Sequence, residues 1–403
     1  MGITRAEAEE IAAGWARLET ERRGHLRVPM LAEFDLGFLV WTRRPGPAPA
    51  IPGDGGRTVI DRATGLLTTW PSVPVETVAR LYRDRRPGFA ELRRTLDPSV
   101  ELLRSVRRRV TPTTAAHLTV GGRIFRARGA KGDQVIEHHP LVVRHLHNVD
   151  PGSLVRGCER HAELIVLSDA LHAFGVATQA AARDLLRGGD FEAFFVREPG
   201  DPLAGEPARL CESCIRVLVD FAVLPWPELA RAEPLPQVEP DGPAAEPGRF
   251  SEPVADLLAR AGWIEMNRVA REALATAKIE KLAAYGHRGF PAVERMMIDF
   301  PAVVSLHRGP GVRRAVRMLE IAPARVAHTT ATLADLSAVL GVGLFPIGIE
   351  HGGDTLVAMD ERGRIFGLDQ AGEWYLGESI DEALTGLLTG TGPAARLRDD
   401  ATW

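Results

Sequence analysis

Gly157-Cys158-Glu159-Arg160-His161-Ala162-Glu163-Leu164-Ile165-Val166-Leu167 is answered about fifty residues later by Cys211-Glu212-Ser213-Cys214. His-Ala-Glu opens an apolar, helix-like run, and Cys-x-x-Cys opens another. Cysteines three apart on the first turn of a helix can point both sulfurs at one ion, and a helix N-terminus favours the thiolate. His161 would be the third ligand. Three protein ligands leave a tetrahedral zinc ion one open position for water, the mark of a catalytic site. Cys158, three residues before His161, leaves a closed site of three cysteines and one histidine as the alternative on spacing alone. Glu163 stands two residues past His161, near such an ion but not on it, where a carboxylate can move protons. The chain has only three cysteines, all in this region. That is too few for a disulfide framework and suits a reducing cytoplasm in which thiols bind metal.

The bulk numbers narrow the class. With 403 residues the chain has room for two to four domains, and 45% apolar with 25% charged residues is ordinary for a soluble globular protein. A net charge of −4 does not describe a polyanion binder. No segment approaches the roughly 18 uninterrupted apolar residues of a membrane span. The opening MGITRAEAEEIAAGWARLE lacks a basic-then-apolar signal pattern. The expected location is therefore the cytoplasm, with no membrane partner.

Residues 1–95 read as an α+β module. Ala8, Ile11, Ala12, Trp15 and Leu18 have helical spacing, with Thr4 and Glu7 placed as a capping box. Extended pieces follow at 36–41 and 57–70, the latter folded back at a hairpin turn over 61–65, and a helix at about 74–86 closes the unit. The helix, the strand, Asp-x-x-Thr-Gly, strand hairpin and the closing helix resemble the YrhB-like immunity domains. Arg104, Arg107, Arg108 and Arg109 form a basic run in the bridge that follows, read as a solvated helix face or linker in preference to a phosphate grip.

The middle unit, 112–228, reads as β-β-α-α-β-α, with strands at 117–127 and 140–146, helices at about 158–174 and 178–186, a strand at 191–197 and a helix at about 212–222. The expected fold is an α/β core with the metal residues at the starts of two helices. Residues 229–248, rich in Pro, Glu and Ala without apolar periodicity, read as an extended linker. Residues 249–395 form the last unit, also α+β. Its opening F-S-x-x-V-x-x-L-L-x-x-A-G-W from Phe250, its strand-Asp-x-x-Gly-x-strand hairpin around Asp360, and its closing W-x-x-G-x-S-h-D-E-A-L pattern around Trp374 to Leu384 resemble the third subgroup of the SUKH immunity proteins over about 250–392. That resemblance implies an α+β binding module, often toxin-neutralising and not an enzyme.

His-x-Glu followed by Cys-x-x-Cys on a second helix also resembles the signature of the zinc nucleobase deaminases. One departure is Leu210, where the signature carries proline before the first cysteine. The surrounding Cys-x-x-His-Ala-Glu-Leu-Ile-x-Leu-Ser-Asp-Ala-Leu, then Cys-x-Ser-Cys, is similar to the YwqJ-related deaminases of bacterial polymorphic toxin systems over about 113–226. The resemblance implies a cytidine-deaminase-like α/β domain with zinc ligands at His161, Cys211 and Cys214 and a proton shuttle at Glu163. It also implies hydrolytic deamination of a cytosine-type base. Asn148, at the end of the second expected strand, is a candidate for binding the substrate sugar, against an ordinary polar strand end. His138, His139, His145 and His147 are crowded, but alternation along a strand would split them between faces. Ser168 and Asp169 fall in a helix interior with no positioned base.

Over 112–228 there are 12 Lys/Arg and 15 Asp/Glu. That balance leans toward a nucleoside or nucleotide, or a single-stranded nucleic acid gripped locally by Arg123, Arg126 and Arg128, and away from a long duplex. A toxin or other protein partner is expected for the flanking domains. The alternative from another class is a non-catalytic multidomain immunity or interaction protein whose zinc only holds the middle unit together.

Overall fold

The computed structural model describes residues 2–46, 57–65, 67–70, 74–85, 111–133, 135–225, 242, 244–392, 394–398 and 402–403. The bridging arginines 104 and 107–109 and most of the expected linker lie outside these.

The N-terminal module is a four-stranded antiparallel meander covered by one helix on each face. Helix α1 (Arg5–Arg23) starts on the expected capping box, in which Thr4 and Glu7 cap each other's backbone N–H. Strands β1 (Val28–Phe34), β2 (Gly37–Arg43), β3 (Arg57–Asp61) and β4 (Leu67–Trp70) follow in sheet order, and α2 (Val75–Arg85) closes the module. Side-chain alternation along β2 divides the core. Phe38 and Val40 pack with Ala8, Ala12 and Trp15 of α1, while Leu39 packs with Val78 and Tyr82 of α2. Asp61 fastens the turn: its Oδ1 accepts from the Ala63 and Thr64 N–H groups at 2.9 Å, and its Oδ2 accepts from the Tyr82 hydroxyl at 2.6 Å.

The central domain differs from expectation in two elements. Strands β5 (Thr113–Val120) and β6 (Arg123–Arg128) form a hairpin, but residues 140–147 are helix α3 (Pro140–His147), not a strand. Proline at the first helical position supports a helix start, and His139 accepts from the Leu141 N–H as N-cap. Leu141 and Val142 then bury together on one face. The expected 158–174 helix is split. A single 3-10 turn (Cys158–Arg160) breaks at His161, and α4 (Ala162–Ala173) begins there. Residues 162–171 are all buried, so α4 is the central strut of the domain. Helix α5 (Gln179–Leu186), strand β7 (Asp190–Val196) and helix α6 (Glu212–Asp220) complete the unit. The sheet order is β6-β5-β7, with β5 antiparallel to both neighbours.

The C-terminal domain opens with α7 (Glu252–Arg260), where Ser251 stands at the N-cap position without a side-chain capping bond, then α8 (Arg268–Ala283) and α9 (Pro291–Asp299). The last residues of the expected linker are part of this domain, since Ala244 bridges Ile264. Strands β8 (Val303–Ser305) and β9 (Leu319–Ile321), helix α10 (Thr330–Leu340), strands β10 (Leu344–Glu350), β11 (Thr355–Asp360), β12 (Ile365–Asp369) and β13 (Gly372–Gly377), helix α11 (Ile380–Thr389) and strand β14 (Ala395–Arg396) follow. The seven strands form one sheet in sequential order, β14 to β8. Both faces are buried. Val357 and Met359 of β11 join the core formed with α7, α9 and α11, while Leu356 and Ala358 join the one formed with α10.

The central and C-terminal domains share a polar seam. Arg156 Nη2 donates to Glu350 Oε2 at 2.6 Å, with both side chains buried. Glu198 accepts from the Ala331 and Thr332 N–H groups at 2.8 Å, capping the start of α10 from the other domain. Arg396 donates to the Gly132 carbonyl at 2.6 Å and to Asp133 at 3.0 Å. Backbone bonds of 2.9 Å join Gly311 to Gly152 and Ala315 to Leu154.

Candidate metal centre

His161 and Cys211 occupy equivalent places: each is the N-cap residue of its helix, with extended backbone angles. An N-cap side chain turns back toward the free N–H groups of the first turn. The Cys211 sulfur does so, accepting from the Cys214 N–H at 3.4 Å. Helices α4 and α6 therefore bring the three donors together. His161 Nδ1 lies 3.5 Å from Cys211 Sγ and 3.4 Å from Cys214 Sγ. Zinc–sulfur bonds near 2.3 Å and zinc–nitrogen bonds near 2.0–2.1 Å at a tetrahedral angle place the donor atoms about 3.6 Å apart. Among the described residues, His161, Cys211 and Cys214 form a group that could hold a metal ion, with all three ligand atoms within 4.8 Å of one another. The donor set and its spacing fit a tetrahedral ion that prefers sulfur and nitrogen.

Cys158 is outside that group. Burial pushes its thiol well above the ordinary range, so it is a buried neutral side chain with a hydrogen bond to Ser213. The three ligands have the opposite character. Burial opposes ionisation of Cys211, but its hydrogen bond with Cys214 and the charges of His161 and Arg317 outweigh that and hold it well below the usual thiol range. Burial and the neighbouring Cys211 sulfur push Cys214 up. Burial works to lower the His161 imidazole, yet Cys211, Glu163 and Asp354 raise it to about 10. Taking up an ion would release the protons that this set holds.

Glu163 lies on the first turn of α4 and is fully buried. Burial raises its carboxyl to about 7, with His161 pulling the other way. Its partner comes from a different domain. Gln370, at the tip of the β12–β13 turn, donates from Nε2 to both Glu163 oxygens at 3.3 and 3.4 Å, and its Oε1 accepts from the Ala162 N–H at 2.9 Å. Asp354 and Arg317, an ion pair of the C-terminal domain, lie close enough to act electrostatically on His161 and Cys211. His351 contacts the Leu210 carbonyl at 3.3 Å, so the residue standing in place of proline also touches the C-terminal domain.

The remaining candidates are not among the three ligands. Asn148 is exposed at the C-cap of α3, not at a strand end. The four histidines are not spread along a strand: His139 caps α3, His138 precedes it, and His145 and His147 lie within it, with His145 paired to Asp220 at 3.0 Å. Ser168 is inside α4 and accepts from the His139 N–H. Arg123 lies over the Phe125 and Phe174 rings, and Arg126 and Arg128 share its strand.

Residues 250–390 match the model of the SUKH-3 immunity protein. Residues 6–88 match that of the immunity protein 35-like domain. The chain thus carries a SUKH-3-type immunity domain at its C-terminal end and an immunity-35-like domain at its N-terminal end. The first agrees with the resemblance over 250–392, and the second places the N-terminal module among immunity domains. Neither match reaches the central domain, and no deaminase family model matches the chain. No curated protein and no solved structure matches it. No helix among the described residues is long and apolar enough to cross a membrane.

Proposed function

We propose that the central domain is a zinc-dependent hydrolytic deaminase of a cytosine-type base, carried between immunity domains in a bacterial toxin-immunity or conflict system. The observation that carries this reading is the set His161, Cys211 and Cys214, arranged at tetrahedral spacing, with Glu163 buried on the same helix turn. His161 Nδ1 and the two sulfurs would hold the zinc. Bound there, zinc supplies Lewis acidity that lowers the pKa of water toward roughly 7. Glu163 is not one of the three ligands, so its carboxylate is free to take a proton and return it to the ring nitrogen and the departing amine. The Ala162 N–H and the Glu163 carboxylate together present one donor and one acceptor to a planar polar group. The central similarity to YwqJ-related deaminases and the N-terminal similarity to YrhB-like domains support the same setting. The substrate is a nucleoside, a nucleotide or a single-stranded nucleic acid, and the partner of the flanking domains is a toxin or another protein. The site of action is the cytoplasm, and Asn148 is the candidate for the sugar.

A second reading, a non-catalytic immunity or interaction protein with a structural zinc, is favoured by one observation: all three ligands and Glu163 are at most 1% exposed. Metal analysis with an ammonia-release assay separates the two. The proposal expects one zinc per chain, lost in Cys211→Ser, and ammonia from at least one of cytidine, CMP, single-stranded DNA or RNA. One zinc per chain with no ammonia from any of the four, even with the C-terminal domain displaced, would establish the structural reading.

A further inference from the structure

We propose that the SUKH-3-type domain acts within its own chain as a stopper of the metal site, with Gln370 as the plug. The inference rests on the reading of His161, Cys211, Cys214 and Glu163 as a site that a substrate must reach. Those groups are at most 1% exposed, and besides the central domain's own core the C-terminal domain reaches them through Gln370, bonded to Ala162 and Glu163, and His351, bonded to the Leu210 carbonyl. The Gln370 carboxamide satisfies the two polar groups that the site offers beside the ligands: its oxygen takes the Ala162 N–H at 2.9 Å and its nitrogen faces both Glu163 oxygens. A substrate that needs either group competes with Gln370 directly.

The plug is held rigidly. Asp369 Oδ1 accepts from the Ala371 N–H, the Gly372 N–H and the Trp374 indole at 2.8, 3.1 and 2.9 Å, which fixes the turn that projects Gln370. The central domain is shaped to receive this turn. A Cβ at Gly129 would stand 2.3 Å from the Gln370 carbonyl oxygen, and one at Gly157 would stand 2.5 Å from the Trp374 ring, so both contacts require glycine. Around the plug, the Glu198 cap on α10 and the Arg396 clamp on Gly132 and Asp133 tie the domains at separate points. Access to the site thus requires the two domains to part.

The test is site-resolved alkylation of Cys211 and Cys214 by iodoacetamide in the metal-free full-length chain, read by mass spectrometry, with circular dichroism as the check on folding. Wild-type protein should label slowly. Gly129→Val, which drives the turn outward, and Glu198→Lys with Arg396→Glu, which breaks the outer ties, should each label at least ten-fold faster with an unchanged spectrum. Gln370→Ala, which removes only the plug, should give a smaller, several-fold increase. Labelling at the wild-type rate in all three folded variants would overturn the proposal. Faster labelling accompanied by faster ammonia release from the zinc-loaded variants supports both the stopper and the deaminase reading. Faster labelling without ammonia from cytidine, CMP, single-stranded DNA or RNA supports the stopper and counts against the deaminase.

Discussion

Arg156→Met tests how firmly the two domains are joined. The Arg156 and Glu350 side chains are only 5% and 4% exposed, and their 2.6 Å bond crosses the seam. Asp369 lies 3.6 Å from the same guanidinium, and that guanidinium sits over the Trp374 ring. Removing one partner of a buried pair leaves an uncompensated charge and costs about 3–5 kcal/mol. Glu350 still feels Arg314 and Arg317, so the lower end applies, about 3 kcal/mol. Because the charge left behind causes most of that loss, Arg156→Met with Glu350→Met should recover most of it. Equilibrium unfolding in urea, followed by tryptophan fluorescence, reads both variants. Loss of less than about 1 kcal/mol in the single variant would mean the pair is as weak as an exposed one, and the buried seam would be refuted.

Three further outcomes follow from local geometry. Tyr82→Phe removes the hydroxyl that donates to Asp61 at 2.6 Å and should cost the N-terminal module about 1.5–3 kcal/mol, seen as a lowered Tm. Cys158→Ser should leave zinc stoichiometry at the wild-type value while Cys214→Ser abolishes it, because Cys158 lies outside the ligand group; loss of zinc in Cys158→Ser would point to a closed four-ligand site. His287 has its imidazole lowered from 6.5 by burial, against a hydrogen bond with the Ala327 carbonyl and the charge of Glu198. The unfolded chain therefore binds this proton first, so the contribution of a neutral His287 is present above pH 6.5 and is lost as the pH falls below it. Unfolding free energy measured from pH 7.5 to 5.5 should decline, with a shallower slope in His287→Gln.

The parts that could be read from sequence are those whose causes are local. The capping box at Thr4 and Glu7, the Asp61 turn and the two helix starts carrying His161 and Cys211 each depend on residues within one turn of chain. Strand β1 has no clear sequence signal, because its alternation is weak and Pro29 interrupts it, which an edge strand tolerates. Val142 and Val143 carry strand preference, but burial against the domain core and Pro140 at the helix start make this stretch helix α3. Gln370 left no signal at all. It stands 207 residues from Glu163 in a turn whose own sequence has no metal-site character, and only the docking of one domain on another brings them together. Asp354 and Arg317 act on the ligands for the same non-local reason.

The most direct test of the central claim is ammonia release by the zinc-loaded Glu198→Lys, Arg396→Glu chain, with and without Glu163→Gln, on cytidine, CMP, single-stranded DNA and RNA. General acid–base groups contribute roughly 10²–10⁴-fold to rate, and the substitution leaves all three metal ligands in place. Deamination of one of these substrates is expected, lowered at least 100-fold by Glu163→Gln with one zinc still bound per chain. Equal rates with and without Glu163→Gln, or no ammonia from the opened and zinc-loaded chain, would contradict the central claim.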